Sequence, residues 1–155
     1  MPSGVNVSPA CMEAYQKFRL QHKDTYIIYK LDDGYNEIVV DRVSDNNHMP
    51  SEKAWEEFCE KLENATAKIR GNVGKGPRCA VYNFRYHREG VDGTLEKIIF
   101  ISWSPDEANI QAKMIYASNR DSLRRSLNGI GLELQATDLV ELEYDYVVSK
   151  LNRGR

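Results

Sequence analysis

The sequence predicts a single α/β domain: a five-stranded mixed β-sheet flanked by helices on both faces. Three observations carry this. A chain of 155 residues suits one core, and halves of it would be too small to bury one each. Apolar spacing switches between helical and strand periods in the order helix, two strands, helix, two strands, long helix, strand, helix. Hairpins mixed with helical crossovers place helices on both sides of such a sheet.

Residues 1–7 are small and polar apart from two valines, and read as a flexible N-terminal arm ahead of a domain over 8–152. Ser8-Pro9 supplies an N-cap and a proline at the first helical position. Cys11, Tyr15 and Phe18 follow at i, i+4, i+7, one face of a helix to about residue 21. Thr25 to Leu31 is β-rich, and Asp32-Asp33-Gly34 marks a hairpin before Glu37 to Val43. Pro50-Ser51 opens a second helix with Trp55, Phe58, Cys59 and Leu62 along one face. Glu63 to Pro77 is polar and glycine-containing, and reads as a long loop. In the strand Arg78 to His87, Tyr82, Phe84 and Tyr86 share one face. Lys97 to Trp103 is almost wholly apolar, hence central and buried on both sides. Ser104-Pro105-Asp106-Glu107 has the form of a capping box and predicts the start of a helix reaching about Leu127. Leu132 to Ala136 is a short strand, and Thr137-Asp138 caps terminal helical segments to about Leu151.

Composition excludes several classes. Net charge is −2, from 21 basic and 23 acidic residues, so there is no global footprint for nucleic acid. The longest apolar stretches, such as Ile98 to Ile101, are far too short to span a bilayer. No charged n-region with an apolar h-region opens the chain, so a cytoplasmic protein, possible also in the nucleus, is expected. Cys11, Cys59 and Cys79 are widely spaced and odd in number, which fits free thiols rather than a disulfide framework. His22, His48 and His87 are isolated, so no metal site is expected. Gly71 to Gly76 superficially resembles a phosphate loop. It lacks the four-residue gap, a Ser or Thr after Gly-Lys, and a buried strand before it. Enzyme chemistry therefore has no visible carrier, and no cofactor is expected.

Charge is nevertheless uneven. Lys113 to Arg125 holds four cations and one acid, whereas Glu133 to Asp145 holds five acids and no base. At 100° per residue, Ala112, Tyr116, Leu123 and Leu127 point one way. Gln111, Met114, Ser118, Asp121 and Arg125 point the other, with Lys113 and Arg124 on the flank and Arg120 nearer the buried edge. An outward Met among cations fits a contact surface, and it equally fits an ordinary solvated face with one stray apolar residue.

Resemblance decides between these. Lys113-Met114-Ile115-Tyr116-Ala117-Ser118, preceded by Trp103-Ser104-Pro105-Asp106 and followed by Arg120-Asp121, resembles the signature of the ADF/cofilin family. Ser3-Gly4-Val5 with Val7, Tyr26 to Lys30, Arg78 to Tyr82, and Leu127 to Asp138 resemble further family segments in the same order. The resemblance implies an ADF-homology domain that binds monomeric and filamentous actin, prefers its ADP form, and promotes filament severing and depolymerisation. The implied monomer-type contact is Ser3, Gly4, Val5, Lys113, Met114, Ser118 and Arg124 or Arg125. The implied filament-type contact is Lys97, Lys150 and Arg153. Ser3 matches a serine whose phosphorylation inactivates many relatives, and Lys113, Arg120, Arg124 and Arg125 match cations used for phosphoinositide headgroups. The sequence departs from the family pattern at Gln111, Leu95, Glu96 and Ser149. The first three stand where cations are often found and the fourth where an acid is common, so the filament-side basic cluster is thinned. The protein itself is expected to be a monomer. Two other readings stay open: a relative that only binds filament sides or the branching complex, in the manner of coactosin-like and glia-maturation-factor-like proteins, and a small enzyme using the Gly71 to Pro77 loop.

Overall fold

The computed structural model describes residues 6–21, 24–32, 34–45, 49–69, 71–88 and 90–153. In chain order the elements are β1 (Asn6–Val7), α1 (Pro9–Gln21), β2 (Tyr26–Leu31), β3 (Glu37–Ser44), α2 (Ser51–Glu63), β4 (Thr66–Ile69), β5 (Asn72–Lys75), β6 (Arg78–Tyr86), β7 (Leu95–Trp103), α3 (Ile110–Ser126), β8 (Leu132–Ala136), a 3₁₀ turn (Leu139–Leu142) and α4 (Tyr144–Arg153).

The main sheet runs β1-β3-β2-β6-β7-β8. Its interior pairs are antiparallel, and its outermost pairs, β1 with β3 and β7 with β8, are parallel. The mixed sheet expected from the sequence is present, with one strand more than the expected five. That strand is the two-residue β1, whose Asn6 and Val7 align with Glu37 and Ile38. A segment so short carries no alternating pattern from which it could be read.

Alternation divides the strand side chains between two cores. Tyr26, Ile28, Tyr82, Phe84, Tyr86, Ile99 and Ile101 pack under α2 and α4. Ile27, Tyr29, Val81 and Phe100 pack under α1 and α3. The aromatic face read from β6 forms the first core: the Tyr82 ring lies 4.8 Å from Trp55 and 4.9 Å from Phe58. Trp55 also donates its indole N–H to the Leu142 carbonyl at 2.5 Å, tying α2 to the 3₁₀ turn.

Local signals account for most boundaries. The Ser8 hydroxyl accepts the Cys11 N–H at 3.3 Å at the start of α1. Asp138 accepts the Glu141 N–H at 3.2 Å at the 3₁₀ turn. Two expectations are corrected. The capping-box pattern at Ser104 does not start α3: residues 106–108 form a turn, and Asn109 is the N-cap, accepting from Gln111 and Ala112 N–H groups at 2.8 and 3.4 Å. The 63–77 loop is instead the antiparallel ribbon β4–β5. Gly76 is fixed by close approach, because a Cβ there would lie 2.5 Å from the Thr66 carbonyl carbon. The Arg78 guanidinium braces the ribbon by donating to the Thr66 carbonyl at 2.9 Å while pairing with Asp41 at 3.1 Å. The resemblance of Gly71 to Gly76 to a phosphate loop ends here, since Gly71 is a hairpin turn glycine at φ 83°.

Candidate functional site

α3 is anchored from below and open above. Ala112, Tyr116, Asn119 and Leu123 are its buried residues. Tyr116, inside the signature hexapeptide, accepts the Leu31 N–H on its hydroxyl at 2.9 Å. Burial pushes its phenol above the usual range, which keeps it a neutral anchor. Asn119 sits in the same buried stripe and donates to the Ile115 carbonyl at 2.7 Å. A polar side chain at that position gave no apolar signal in the sequence.

The opposite face presents Gln111, Met114, Ser118, Asp121 and Arg125 to solvent, with Lys113, Arg120 and Arg124 half-buried along the flanks. Met114 is 66% exposed, and Ile110, one turn earlier, is 70% exposed. These two form an apolar strip at i, i+4, of which Ile110 was not singled out from sequence. Exposed large apolar side chains in register are a contact feature that a purely solvated helix does not need.

The cations around the strip differ in availability. Lys113 donates weakly to the Asp106 carbonyl at 3.4 Å. Arg124 is engaged, with its Nε 2.7 Å from Glu133 of β8 and its guanidinium also donating to the Leu127 carbonyl at 3.2 Å. Arg120 lies 3.9 Å from Asp121. Arg125 is exposed and has no ion pair among the described residues. Of the two arginines offered for the monomer-type contact, Arg125 is the one turned outward. Ser3, Gly4 and Val5 lie outside the described residues.

A second basic group collects on the other side of the sheet. In α4, Lys150 lies 5.4 Å over the Tyr146 ring and Arg153 is exposed. Arg88, just beyond β6, donates to Asn152 at 3.2 Å and to the Leu151 carbonyl at 3.3 Å, joining the last turn of α4. Arg88 was not singled out from sequence, since no spacing rule links it to a helix 60 residues downstream. Lys97 is half-buried on β7. Leu95 packs against the core, and Glu96 is occupied by Arg85 at 3.3 Å and by the Asn83 amide at 3.1 Å.

A helix clamped by an aromatic anchor, bearing an exposed apolar strip among cations on a mixed sheet with helices on both faces, defines a protein-binding domain. The chain matches, over residues 4–152, the family described as cofilin/tropomyosin-type actin-binding protein. A cofilin of Gibberella zeae is 50% identical over 153 residues, 98% of this chain and 96% of that one. A cofilin of Schizosaccharomyces pombe is 40% identical over 151 residues, 97% of each. The crystal structure of Streptomyces griseoflavus cofilin superposes with a TM-score of 0.81 at 36% identity, covering 98% of this chain and all of the other. The chain therefore belongs to the ADF/cofilin family of actin-binding proteins, which are regulators of actin rather than enzymes. Among the described residues no helix is long and apolar enough to cross a membrane.

Proposed function

We propose that this protein binds both actin monomers and filaments and promotes filament severing and depolymerisation in the cytoplasm. The observation that carries the proposal is the placement of two candidate contact surfaces on opposite faces of one sheet. The strip of Ile110 and Met114 lies on α3, and the basic group of Lys150, Arg153 and Arg88 lies at the end of α4. A domain that engages one actin subunit through α3 and a second through α4 can insert between neighbours in a filament. The apolar strip would hold affinity, while Lys113, Ser118, Arg124 and Arg125 orient the contact. The arm residues Ser3, Gly4 and Val5 and the strand residue Lys97 complete the proposed contacts. The domain of 8–152 with an arm of 1–7 is the proposed division of labour, with Asn6 and Val7 of that arm held to the sheet edge as β1.

Filament co-sedimentation combined with time-resolved microscopy tests this, because it separates decoration from cutting. Lys150→Ala with Arg153→Ala is expected to spare monomer binding and to reduce co-sedimentation and severing together. Unchanged filament binding in that variant would remove α4 from the contact.

A second reading, side binding with little severing, is favoured by Leu95 and Glu96. Leu95 is apolar and packs against the core, and Glu96 is an acid held by Arg85, so this strand edge lacks cations at both positions. Filaments that are decorated but not shortened would establish it. For the arm, Ser3→Glu is expected to weaken actin binding by adding negative charge, as phosphorylation would more strongly; unchanged affinity would take the arm out of the interface. Phosphoinositide binding through Lys113, Arg120, Arg124 and Arg125 would have to compete with Asp121 and Glu133 for two of those cations. Action in the nucleus is part of the same proposal and calls for localisation in living cells.

A further inference from the structure

The face of the sheet away from α3 carries a groove beside the proposed α4 contact, with Lys150 over the Tyr146 ring at its rim. It is open, about 480 Å³ in volume, and lies between α2 and residues 139–146. Its floor is apolar and aromatic, with Trp55, Cys59, Leu142 and Tyr144 lining it. At its rim Tyr146 is 43% exposed. A helix face built only for solvation would not border such a floor.

The walls are acidic. Glu52, Glu56, Glu60 and Glu63 form one ridge of α2, and Glu143 with Asp145 stands opposite; no Lys or Arg lines the groove. All six carboxylates are exposed, and none is in an ion pair among the described residues. Burial, with a smaller contribution from Glu56, pushes the Cys59 thiol up to about 12, so the groove keeps a neutral thiol between charged walls. An adjoining cavity of about 190 Å³ shares Glu63 and Leu139 with the groove. It is lined by Trp103, only 4% exposed, whose indole N–H has no acceptor among the described residues.

We propose that this groove docks a basic amphipathic helix of a second protein. Apolar side chains of that helix would lie on Leu139, Tyr144 and Tyr146, above the buried Trp55 and Leu142, and its Lys or Arg residues would meet the two acidic walls. The ridge from Glu52 to Glu63 spans about 17 Å, or about three helical turns, so the wall matches a helix rather than a single side chain. Because the groove and α3 lie on opposite faces, the helix and an actin monomer can be held together. That last point rests on the proposed α3 contact; docking itself does not.

The test is a titration of the isotope-labelled full chain with a Leu/Lys amphipathic peptide of about four turns, beside a Lys/Gly peptide of equal charge. Resonance shifts are expected within 51–63 and 139–147. Affinity should fall at least about tenfold in Glu56→Lys/Glu60→Lys and also in Tyr146→Ser, with the circular dichroism spectrum unchanged. Shifts centred elsewhere, equal binding of the Lys/Gly peptide, or unaltered affinity in the charge-reversed variant would overturn the proposal. Sedimentation showing that the free chain covers the groove by self-association would do so too. Adding monomeric actin to the peptide complex should leave the peptide bound, and its displacement would overturn simultaneous occupancy.

Discussion

Replacing Lys113 and Met114 together by Ala is expected to abolish detectable binding of monomeric actin while changing folding stability by no more than about 1 kcal/mol. Met114 is 66% exposed, so the fold loses little buried area when it is truncated. Lys113 contributes one long hydrogen bond to the Asp106 carbonyl, and exposed polar contacts of that kind add little stability. At an interface the same side chain behaves differently. An apolar anchor that enters a cleft is desolvated on all sides, and truncation of such residues commonly costs 2 kcal/mol or more, roughly thirtyfold in affinity. The flanking ammonium should act mainly on encounter rate and salt dependence. Fluorescence titration against labelled actin monomers, paired with urea denaturation, measures both quantities. A large stability loss would show that the outward face of α3 is structural, and retained affinity would move the contact elsewhere.

This separation of roles was legible in the sequence because α3 obeys one strong rule. Its core stripe of Ala112, Tyr116, Leu123 and Leu127, and its outward Gln111, Met114, Ser118, Asp121 and Arg125, lie where helical spacing puts them. The end of α1 at Gln21, the aromatic face of β6 and the limits of β8 were legible for the same reason. The failures have physical causes of their own. The β4–β5 ribbon carries only a short alternation, Ala67 and Ile69 between Thr66 and Lys68, which the glycines after it interrupt, and Arg78 braces it from outside the segment. The start of α3 was displaced because Ser104-Pro105-Asp106-Glu107 offers a cap that competes with Asn109. Ser104 is committed instead to the sheet, its N–H donating to the Ala136 carbonyl at 2.9 Å. The joining of Arg88 to the end of α4, and the pairing of Arg124 with Glu133, are tertiary and leave no mark on local spacing. Sequence similarity named actin; only the packing shows which cations are engaged and which are open.

The buried face of the same helix should respond in the opposite way. Tyr116→Ala is expected to lower stability by about 3–5 kcal/mol, a large share of the 5–15 kcal/mol typical of a domain. Two losses combine. The ring is 8% exposed and packs in the core shared by α1, α3 and the sheet, so its removal leaves a cavity. The hydroxyl is the acceptor for the Leu31 N–H, which lies past the end of the β2–β6 ladder at Tyr29 and Cys79 and so lacks a strand partner on that side. Tyr116→Phe isolates the second loss: it keeps the ring and strands one backbone donor, which should cost about 1–3 kcal/mol. Urea midpoints of the parent and both variants give the two increments. Folded Tyr116→Phe should still bind monomeric actin nearly as the parent does, because Met114 and Ile110 keep their positions. Full stability with lost actin binding in that variant would mean that the partner reads the hydroxyl, and that α3 does not divide into an anchoring face and a binding face.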